Sequence, residues 1–255
     1  MFIILMGDYA WRQYSIDTWH KNADRICLVG SQETFALWPE AAAQIKDMCP
    51  EIEQKCCVMS QKGKIRYHQQ EVNDDTNKEN GTILLVDSTF FQFFDFELEA
   101  GDRLTALDAP DKCVITERLA KRLFGDKDPI GESLQIIGEK TLGSDNYDST
   151  LVYTVSAVAK NLDYTALPNE TQIIASMERY PQMAGSKFVN YSYAFGSSGA
   201  CKGFFMLRPG MTLDSKRETI EDYIAKNFPP VFEDYKVSIT PLKDMMFAPQ
   251  NNGQG

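Results

Sequence analysis

The sequence has few of the residues and motifs from which enzymes commonly build catalytic sites. It has only two histidines, His20 and His68, and no G-x-G-x-x-G, P-loop, H-E-x-x-H or G-x-S-x-G motif. The GSSG segment at 196–199 lacks the strand–turn–helix pattern of a nucleophile elbow. Both histidines lie among polar residues, where a solvated or structural histidine is commoner than a catalytic one. We therefore predict no catalytic and no cofactor-binding residues.

The cysteines do not form a metal-binding pattern. None of the six belongs to a C-x-x-C pair, and only His20 and His68 could complete a zinc site. Two adjacent cysteines on a strand would point to opposite faces, which makes them poor joint ligands. We predict no metal and no other cofactor, and we expect buried thiols; one disulfide in an oxidising compartment is the alternative. The six are Cys27, Cys49, Cys56, Cys57, Cys113 and Cys201.

Positive charge is also scarce, with 26 lysines and arginines against 36 acidic residues and a formal net charge of −10. This balance argues against a nucleic-acid partner and against docking on anionic lipid, because both need cationic surfaces. The apolar content of 43% and the aromatic content of 11% are those of a folded globular protein. A chain of 255 residues can form one large domain or two smaller ones.

The two ends of the sequence differ from the rest. The apolar run MFIILMG at residues 1–7 is far shorter than the roughly 20 residues of a membrane helix, and it lacks the flanks of a signal peptide. The last residues, APQNNGQG, are polar and helix-breaking, as in a linker. We expect the chain to be a fragment of a longer one, with residues 1–7 forming the end of a membrane helix.

A strand–helix–strand pattern occurs near each end. In the first, residues 26–29 predict a strand, ALWPEAAAQIKDMCP predicts a helix, and Lys62 and Gly63 predict a hairpin between two short strands. In the second, KGFFMLRPG, LDSKRETIEDYIAKNF and YKVSITPL predict a strand, a helix and a strand. We expect the two units to pack side by side around an inserted strand-rich block, which makes the outer domain discontinuous.

Phenylalanine dominates the segment STFFQFFDF, which follows a predicted buried strand at 83–86. Ser88 is the predicted N-cap of a short helix. Core packing is the favoured interpretation of this helix, and an exposed hydrophobic docking patch is the alternative. The helix is predicted to carry Phe90, Phe91, Phe93 and Phe94.

The inserted block is predicted to consist mainly of strands. KCVITERLAKRLFG predicts a strand and an amphipathic helix that ends at Gly125. ESLQIIG, LVYTVSAVAKNL and QIIASM predict three more strands, with EKTLGSDNYDST and GSKFVNYSYAFGSSGAC as loops. Apolar alternation in the second of these strands is predicted at Val152, Val155, Ala157 and Ala159.

The turn DKDPIG at 126–131 has the acidic residues and the glycine of an ion-binding loop. As a calcium loop it would have Ile130 at the fifth position and Ile137 at the twelfth, where oxygen ligands are needed. As a phosphate cradle it would repel the anion through its two aspartates. We predict a structural corner, in which Gly125 ends a helix and Gly131 aims the chain into the next strand.

In this order, FFDFELEAGDRL, CVITERLAKRLFGDKDPIGESLQI and YTVSAVAKNL closely resemble the extracytoplasmic domain of MacB/FtsX-type ABC transporter permeases. The shared features include the turn Gly101-Asp102, a strand and helix over 114–123, the turn from Pro129 to Gly131 and a strand at 155–158. The start, IDTWHKNADRICLV, is similar to the segment after the first membrane helix of such permeases, particularly those of Bacteroidetes.

The resemblance implies an α+β fold with two parts. A porter-like domain made of β-α-β units would comprise residues 1–95 and 198–255. A strand-rich, Sabre-like domain would be inserted between them at residues 96–197. The resemblance also implies a place on the periplasmic face of the bacterial inner membrane, with membrane helices anchoring the domain.

The function that the resemblance implies is mechanical rather than catalytic. A separate cytoplasmic ATPase subunit would move the membrane helices, and this domain would carry the movement to a substrate or partner outside the membrane. The implied partners are that ATPase, a second permease copy and a periplasmic adaptor or substrate protein, with no nucleic acid. The alternatives are a periplasmic hydrolase and a small-molecule-binding receptor domain with an apolar pocket between its two parts.

Overall fold

The computed structural model describes residues 15–68, 70–72, 81–138, 150–163, 165–179, 201–227 and 236–249. These residues form a mixed α+β fold in which twelve strands belong to one hydrogen-bonded sheet, which confirms the predicted fold class. The strands are β1 (Ile26–Ser31), β2 (Ala36–Leu37), β3 (Ile52–Tyr67), β4 (Gln70–Val72), β5 (Gly81–Val86), β6 (Leu98–Ala100), β7 (Lys112–Thr116), β8 (Ser133–Gly138), β9 (Thr150–Ala159), β10 (Thr171–Ser176), β11 (Cys201–Leu207) and β12 (Val237–Pro241).

Four α-helices lie in the described part of the chain. They are α1 (Pro39–Met48), α2 (Phe90–Phe93), α3 (Glu117–Phe124) and α4 (Arg217–Asn227). Helix α1 begins with a proline, which is favourable there because the first amides of a helix have no partner inside it. Helix α3 is capped at its start by the Thr116 hydroxyl, which accepts the Leu119 N–H, and it ends at Gly125 with φ 61°.

The N-cap predicted for the phenylalanine helix is wrong by one residue. Thr89, not Ser88, holds the N-cap position of α2, and its side chain makes no capping hydrogen bond. The Thr89 hydroxyl instead donates to the backbone carbonyl of Lys55 at 2.7 Å. A bond to the neighbouring strand β3 therefore replaces the local cap that the sequence pattern predicts.

The two predicted strand–helix–strand units pack side by side, as expected. Strands β12, β1, β11 and β3 are neighbours in that order. Strand β1 is antiparallel to β11 and to β12, and β11 is antiparallel to β3. The units β1-α1-β3 and β11-α4-β12 are therefore interleaved: β11 lies between the two strands of the first unit, and β1 lies between the two strands of the second. This is a ferredoxin-like split β-α-β arrangement. Helix α1 packs on β3 and β11, and α4 packs on β12.

Strand β3 also closes a six-stranded ring. The pairing runs from β3 through β5, β10, β7, β9 and β8, and back to β3. Gly63 pairs with the first residue of β5 and with the last residue of β8. A Cβ at Gly63 would lie 2.8 Å from Ile83 Cδ1 and 3.0 Å from the Ile137 carbonyl oxygen. A larger residue here would push two strands apart.

The hairpin predicted around Lys62 and Gly63 is therefore wrong. Strand β3 runs without interruption through both residues, and the chain turns at His68, which has φ 53°. The glycine marks a close approach between strands rather than a turn. The alternation predicted for β9 is also wrong at Val152, which is 47% exposed because it lies one residue out of phase with buried Val155.

Two apolar clusters cover opposite faces of the sheet. On β1, Cys27 and Val29 belong to the cluster with α1, α4 and the ring, whereas Ile26 and Leu28 belong to the cluster around α2. Each cluster contains residues of the predicted outer domain and of the predicted insert, and the boundaries at 95/96 and 197/198 stay a prediction.

No helix in the described ranges is long and apolar enough to cross a membrane. The apolar run at 1–7, the loop residues 139–149, the GSSG segment and the tail from residue 250 onward lie outside those ranges.

Candidate functional site

Five phenylalanines form an aromatic cluster, named here the Phe core, beneath the interleaved sheet. Their side chains are at most 5% exposed, so the core-packing interpretation is confirmed and the exposed docking patch is wrong. The rings of Phe90 and Phe94 lie 4.9 Å apart, and Phe94 meets Phe204 of β11 edge-on at 5.1 Å. The members of the Phe core are Phe90, Phe91, Phe93, Phe94 and Phe96.

Arg103 fastens the end of α2 to the turn that follows β6. Its guanidinium donates to the backbone carbonyls of Phe91 at 3.1 Å, of Phe94 at 2.9 Å and of Phe96 at 2.6 Å. The three carbonyls are reached from two separate nitrogens of one rigid group, Nη1 for Phe91 and Phe94 and Nη2 for Phe96. The turn itself requires Gly101, because φ is 89° and a Cβ would lie 2.5 Å from the Ser156 carbonyl oxygen.

The N-terminal segment, residues 15–25, is held by a buried polar pair. Asp17 is 1% exposed and His20 is 3% exposed. His20 Nδ1 accepts the backbone N–H of Asp95 at 2.9 Å, so in the neutral ring Nε2 carries the hydrogen that faces Asp17 Oδ1 at 3.3 Å. Asp17 Oδ2 accepts the backbone N–H of Ala166 at 2.8 Å. Two long-range backbone positions are thereby joined through one Asp–His pair.

Aromatic contacts and one more hydrogen bond accompany this pair. The His20 ring lies edge-on to Phe94 and to Phe96, at 5.3 Å from each. Trp19, which is 43% exposed, also meets Phe96, at 5.4 Å. The backbone N–H of Lys21 donates to Asp95 Oδ2 at 2.7 Å. The N-terminal segment therefore lies directly on the Phe core.

The C-terminal segment, residues 242–249, reaches the same core through apolar side chains. It consists mainly of a 3-10 helix, Leu242–Phe247, that contacts the N-terminal turn Ala23–Arg25. Leu242, Met245 and Ala248 are buried in the apolar cluster that contains the Phe core. Both terminal segments thus pack on one base.

A cavity of about 770 Å³ opens where the two terminal segments meet the loop before β10. Ile16 and Met246 line it from the two segments, and Lys202 lines it from β11. Burial lowers the pKa of Lys202, and the nearby Asp17 charge opposes that shift. The loop adds apolar Ala166, Leu167 and Pro168, so the lining mixes apolar and polar residues; the polar ones from the loop are Asp163, Thr165, Asn169 and Glu170.

The histidines take structural positions. Both ring nitrogens of His20 are engaged, by Asp17 and by the Asp95 N–H, and the ring contacts the aromatic rings of Trp19, Phe94 and Phe96. His68 is exposed in the turn after β3 and lies 4.1 Å from the Tyr67 ring. Neither arrangement presents a base to a nucleophile among the described residues, which is what the hydrolase alternative requires.

All six cysteines are buried and unpaired, which confirms the expectation of buried thiols over a disulfide. Burial raises the pKa of Cys113 to about 12, and burial together with the charge of Asp214 raises the pKa of Cys27 to about 12. Burial also raises the pKa values of Cys56 and Cys201. Thiols that keep their proton are poor nucleophiles and poor metal ligands.

The turn at 126–131 is built as a corner, as predicted. Asp128 Oδ1 accepts the backbone N–H of Ile130 at 2.9 Å, and the Gly131 N–H donates to the Val155 carbonyl at 2.8 Å. Gly131 has φ 86°, a conformation that favours glycine. The aspartates at 126 and 128 are exposed, and they solvate the turn.

Sequence reasoning missed Asp17 and Arg103, the residues that organise this junction. The polar stretch around Asp17 gives no sign that its carboxylate is buried, since its partners lie 3 and 149 positions away. Arg103 follows the recognised Gly101-Asp102 turn, and its position just after a phenylalanine-rich helix is the one available signal.

No curated protein sequence matches the chain. Its fold is similar to that of a domain described as part of a permease protein from Porphyromonas gingivalis, with 20% identity, a TM-score of 0.56, and coverage of 87% of this chain and 92% of the other.

Two further solved structures share the fold. The periplasmic region of MacB from Actinobacillus actinomycetemcomitans has 11% identity, a TM-score of 0.56, and coverage of 94% of this chain and 95% of that one. The extracellular domain of the noncanonic ABC-type transporter YknZ from Gram-positive bacteria has 11% identity, a TM-score of 0.52, and coverage of 84% and 99%. The family described as MacB-like periplasmic core domain matches residues 3–223. The chain belongs to this family and is a MacB-like periplasmic domain of an ABC transporter permease.

Proposed function

We propose that this domain is non-catalytic and couples cytoplasmic ATP hydrolysis to the movement or release of a substrate or partner outside the membrane. The domain would be anchored on the periplasmic face of the inner membrane by membrane helices of the whole permease. Its partners would be a separate cytoplasmic ATPase subunit, a second permease copy and a periplasmic adaptor or substrate protein.

The observation that carries the proposal is the shared base of the two terminal segments. Residues 15–25 and 242–249 pack on one apolar cluster, and the Phe core in that cluster also contacts β11. Because packed interiors deform little, a displacement of either segment would move the sheet with it. The engagement of Ala166 by Asp17 extends the connection to the loop before β10. A tightly packed domain of this kind is better suited to transmitting movement than to binding a ligand.

The test uses the full-length permease reconstituted with its ATPase partner. A spin label is placed at Leu104→Cys, an 83% exposed position, and a second variant carries the label at the exposed Glu218 position, as Glu218→Cys. The six thiols of this domain are buried, so labelling within the domain is confined to the introduced cysteine. Distances between the two permease copies are measured by pulsed electron resonance with and without ATP.

We expect ATP to change the distance distribution at both label positions. A flexible glycine–serine insertion between residues 14 and 15 should abolish or blunt the change while ATP hydrolysis continues. Distances that do not respond to ATP in the uninterrupted permease would refute coupling. The absence of any dipolar signal would refute the second permease copy.

A further inference from the structure

We infer that Asp17 and His20 form a latch that makes the N-terminal segment move as one body with the loop before β10 and with the end of the Phe core. This inference rests on the proposed function and specifies the route that movement takes. The latch joins residue 17 to residue 166 and residue 20 to residue 95, which belong to three distant stretches of the chain.

The first argument is burial. Asp17 and His20 are almost fully withdrawn from solvent, and each of their polar atoms described above has a partner. If the segment moved away from its neighbours, His20 Nδ1, Asp17 Oδ2 and the backbone N–H groups of Asp95 and Ala166 would lose their partners, whereas the bond between His20 and Asp17 would move with the segment. The latch therefore resists opening much more strongly than an exposed ion pair such as Lys160–Glu97 would.

The second argument is geometry. Hydrogen bonds weaken steeply with distance and angle, so a segment held at Asp17, His20 and Lys21 by hydrogen bonds to Ala166 and Asp95 cannot slide along the core and keep them. Apolar contacts such as those of Trp19 with Phe96 would tolerate such sliding. The Asp–His pair thus fixes the register of the N-terminal segment on the Phe core, whereas the aromatic rings contribute buried apolar surface.

The third argument is the backbone at Asp17, which has φ 56°. This left-handed conformation is uncommon for a residue other than glycine, and aspartate is among those that adopt it most readily. The turn directs the carboxylate toward His20 and Ala166, both of which it contacts. The local conformation and the long-range hydrogen bonds therefore support one another.

The latch can be tested on the 255-residue chain by amide hydrogen exchange. Asp17→Asn keeps the size of the side chain but places an amide where the carboxylate accepts two N–H groups. We expect exchange at the Ala166 amide to rise at least about tenfold, with a smaller rise at Asp95 and little change in the ring strands. The matched control is Asp24→Asn, an exposed aspartate in the same segment, which should leave both amides unchanged.

His20→Asn is the second variant and separates the two sides of the latch. Asparagine can still accept the Asp95 N–H through its side-chain oxygen, but it cannot reach Asp17 as Nε2 does. We expect faster exchange at Ala166 and preserved protection at Asp95. Unchanged exchange at Ala166 in both variants would overturn the latch.

The transmission step is then tested in the full-length permease with its ATPase partner. With Asp17→Asn, the ATP-dependent distance changes at the Leu104 and Glu218 labels should both shrink, whereas Asp24→Asn should leave them as in the unsubstituted permease. If Ala166 is released but the Leu104 label still responds, the latch exists and transmission through it is refuted. If neither label responds to ATP even without the substitution, the proposed function fails independently of the latch.

Discussion

The two terminal segments are attached to the same Phe core by different chemistry. Residues 15–25 are held by the buried pair Asp17 and His20, with two backbone N–H groups as further partners. Residues 242–249 are held by the apolar side chains of Leu242, Met245 and Ala248. One attachment is directional and depends on a few bonds, whereas the other depends on buried area.

This difference suggests distinct tasks for the two ends. A directional attachment transmits both the size and the direction of a displacement, because the bonds either hold or break. An apolar attachment transmits load but permits small adjustments of register at little cost, since its contacts are interchangeable. In a domain tethered at two points, one fixed end and one adjustable end would let the tethers rotate without straining the sheet.

The largest expected effect removes the base that both segments share. Phe94 is fully buried and contacts His20 and Phe204. Phe94→Ala should lower the free energy of unfolding by about 3–5 kcal/mol, measured by urea denaturation. Leu104→Ala, at an 83% exposed position, is the control and should change little. A small loss for Phe94→Ala would mean that the two segments do not depend on a common base.

Next in size is the loss of the polar attachment. Asp17→Ala leaves the buried His20 Nε2–H and the half-buried Ala166 N–H without an acceptor, which should cost about 2–4 kcal/mol in urea denaturation. Asp24→Ala, at an exposed position in the same segment, serves as the control. Equal stability of the two variants would show that the directional attachment contributes nothing.

The apolar attachment should respond to a matched truncation. Met245 is fully buried, and Met245→Ala should cost about 2–3 kcal/mol, with Lys243→Ala as the exposed control. Unlike Asp17→Ala, this variant should leave amide exchange at Ala166 unchanged. Loss of protection at Ala166 in Met245→Ala would show that the two attachments are coupled rather than independent.

A smaller effect is expected where the Phe core is joined to the turn after β6. Arg103→Lys keeps the positive charge and three N–H donors, but places them on one nitrogen, which cannot reach the carbonyls that Nη1 and Nη2 of the arginine span. We expect a loss of about 1–2 kcal/mol, seen as a lower melting temperature, whereas Arg118→Lys on the exposed side of α3 should have no effect. An unchanged melting temperature for Arg103→Lys would refute the role of the Arg103 guanidinium in holding the three carbonyls.

Alkaline pH should lower the stability of the whole domain but have the smallest effect on the difference between the two attachments. The pKa values of Cys27 and Cys113 are raised from 9.0 to about 12, so the folded state keeps protons that the unfolded chain releases above its ordinary thiol pKa. Stability is then fully present below pH 9 and falls as the pH rises from 9 toward 12, by about 1 kcal/mol per pH unit for each thiol.

Neither terminal segment (residues 15–25 and 242–249) contains a cysteine. The six cysteines lie at positions 27, 49, 56, 57, 113 and 201. The stability differences between wild type and Asp17→Ala, and between wild type and Met245→Ala, should therefore be the same at pH 8 and pH 10. Urea denaturation at both pH values checks this. A change in either difference would show that the core thiols and the segments are not independent.

Local patterns predicted most of the elements, since their causes are local. The stop of α3 at Gly125 follows from a glycine with positive φ, and the buried strand β5 follows from a continuous apolar run. Both β-α-β units were predictable for the same reason. What failed depends on long-range pairing: Gly63 looks like a turn residue until β5 and β8 are both placed beside it.

The candidate site was harder to predict because its parts are distant in sequence. The burial of Asp17 depends on Ala166, 149 positions away, and the tautomer of His20 depends on the amide of Asp95. No periodicity or short motif encodes such contacts. The Phe core was predictable as core, since clustered aromatic residues favour burial, but its contact with the N-terminal segment was not.

The dual pairing of strand β3 has a consequence for protein engineering. A fragment cut to residues 96–197 would lack β3 and β5, which would leave β8 and β10 with unpaired edges that invite intermolecular association. A portable version of the ring would instead have to span residues 52–176, so that all six of its strands are retained. Even then, the first half of β3 would lose β11 and need charged substitutions to stay soluble.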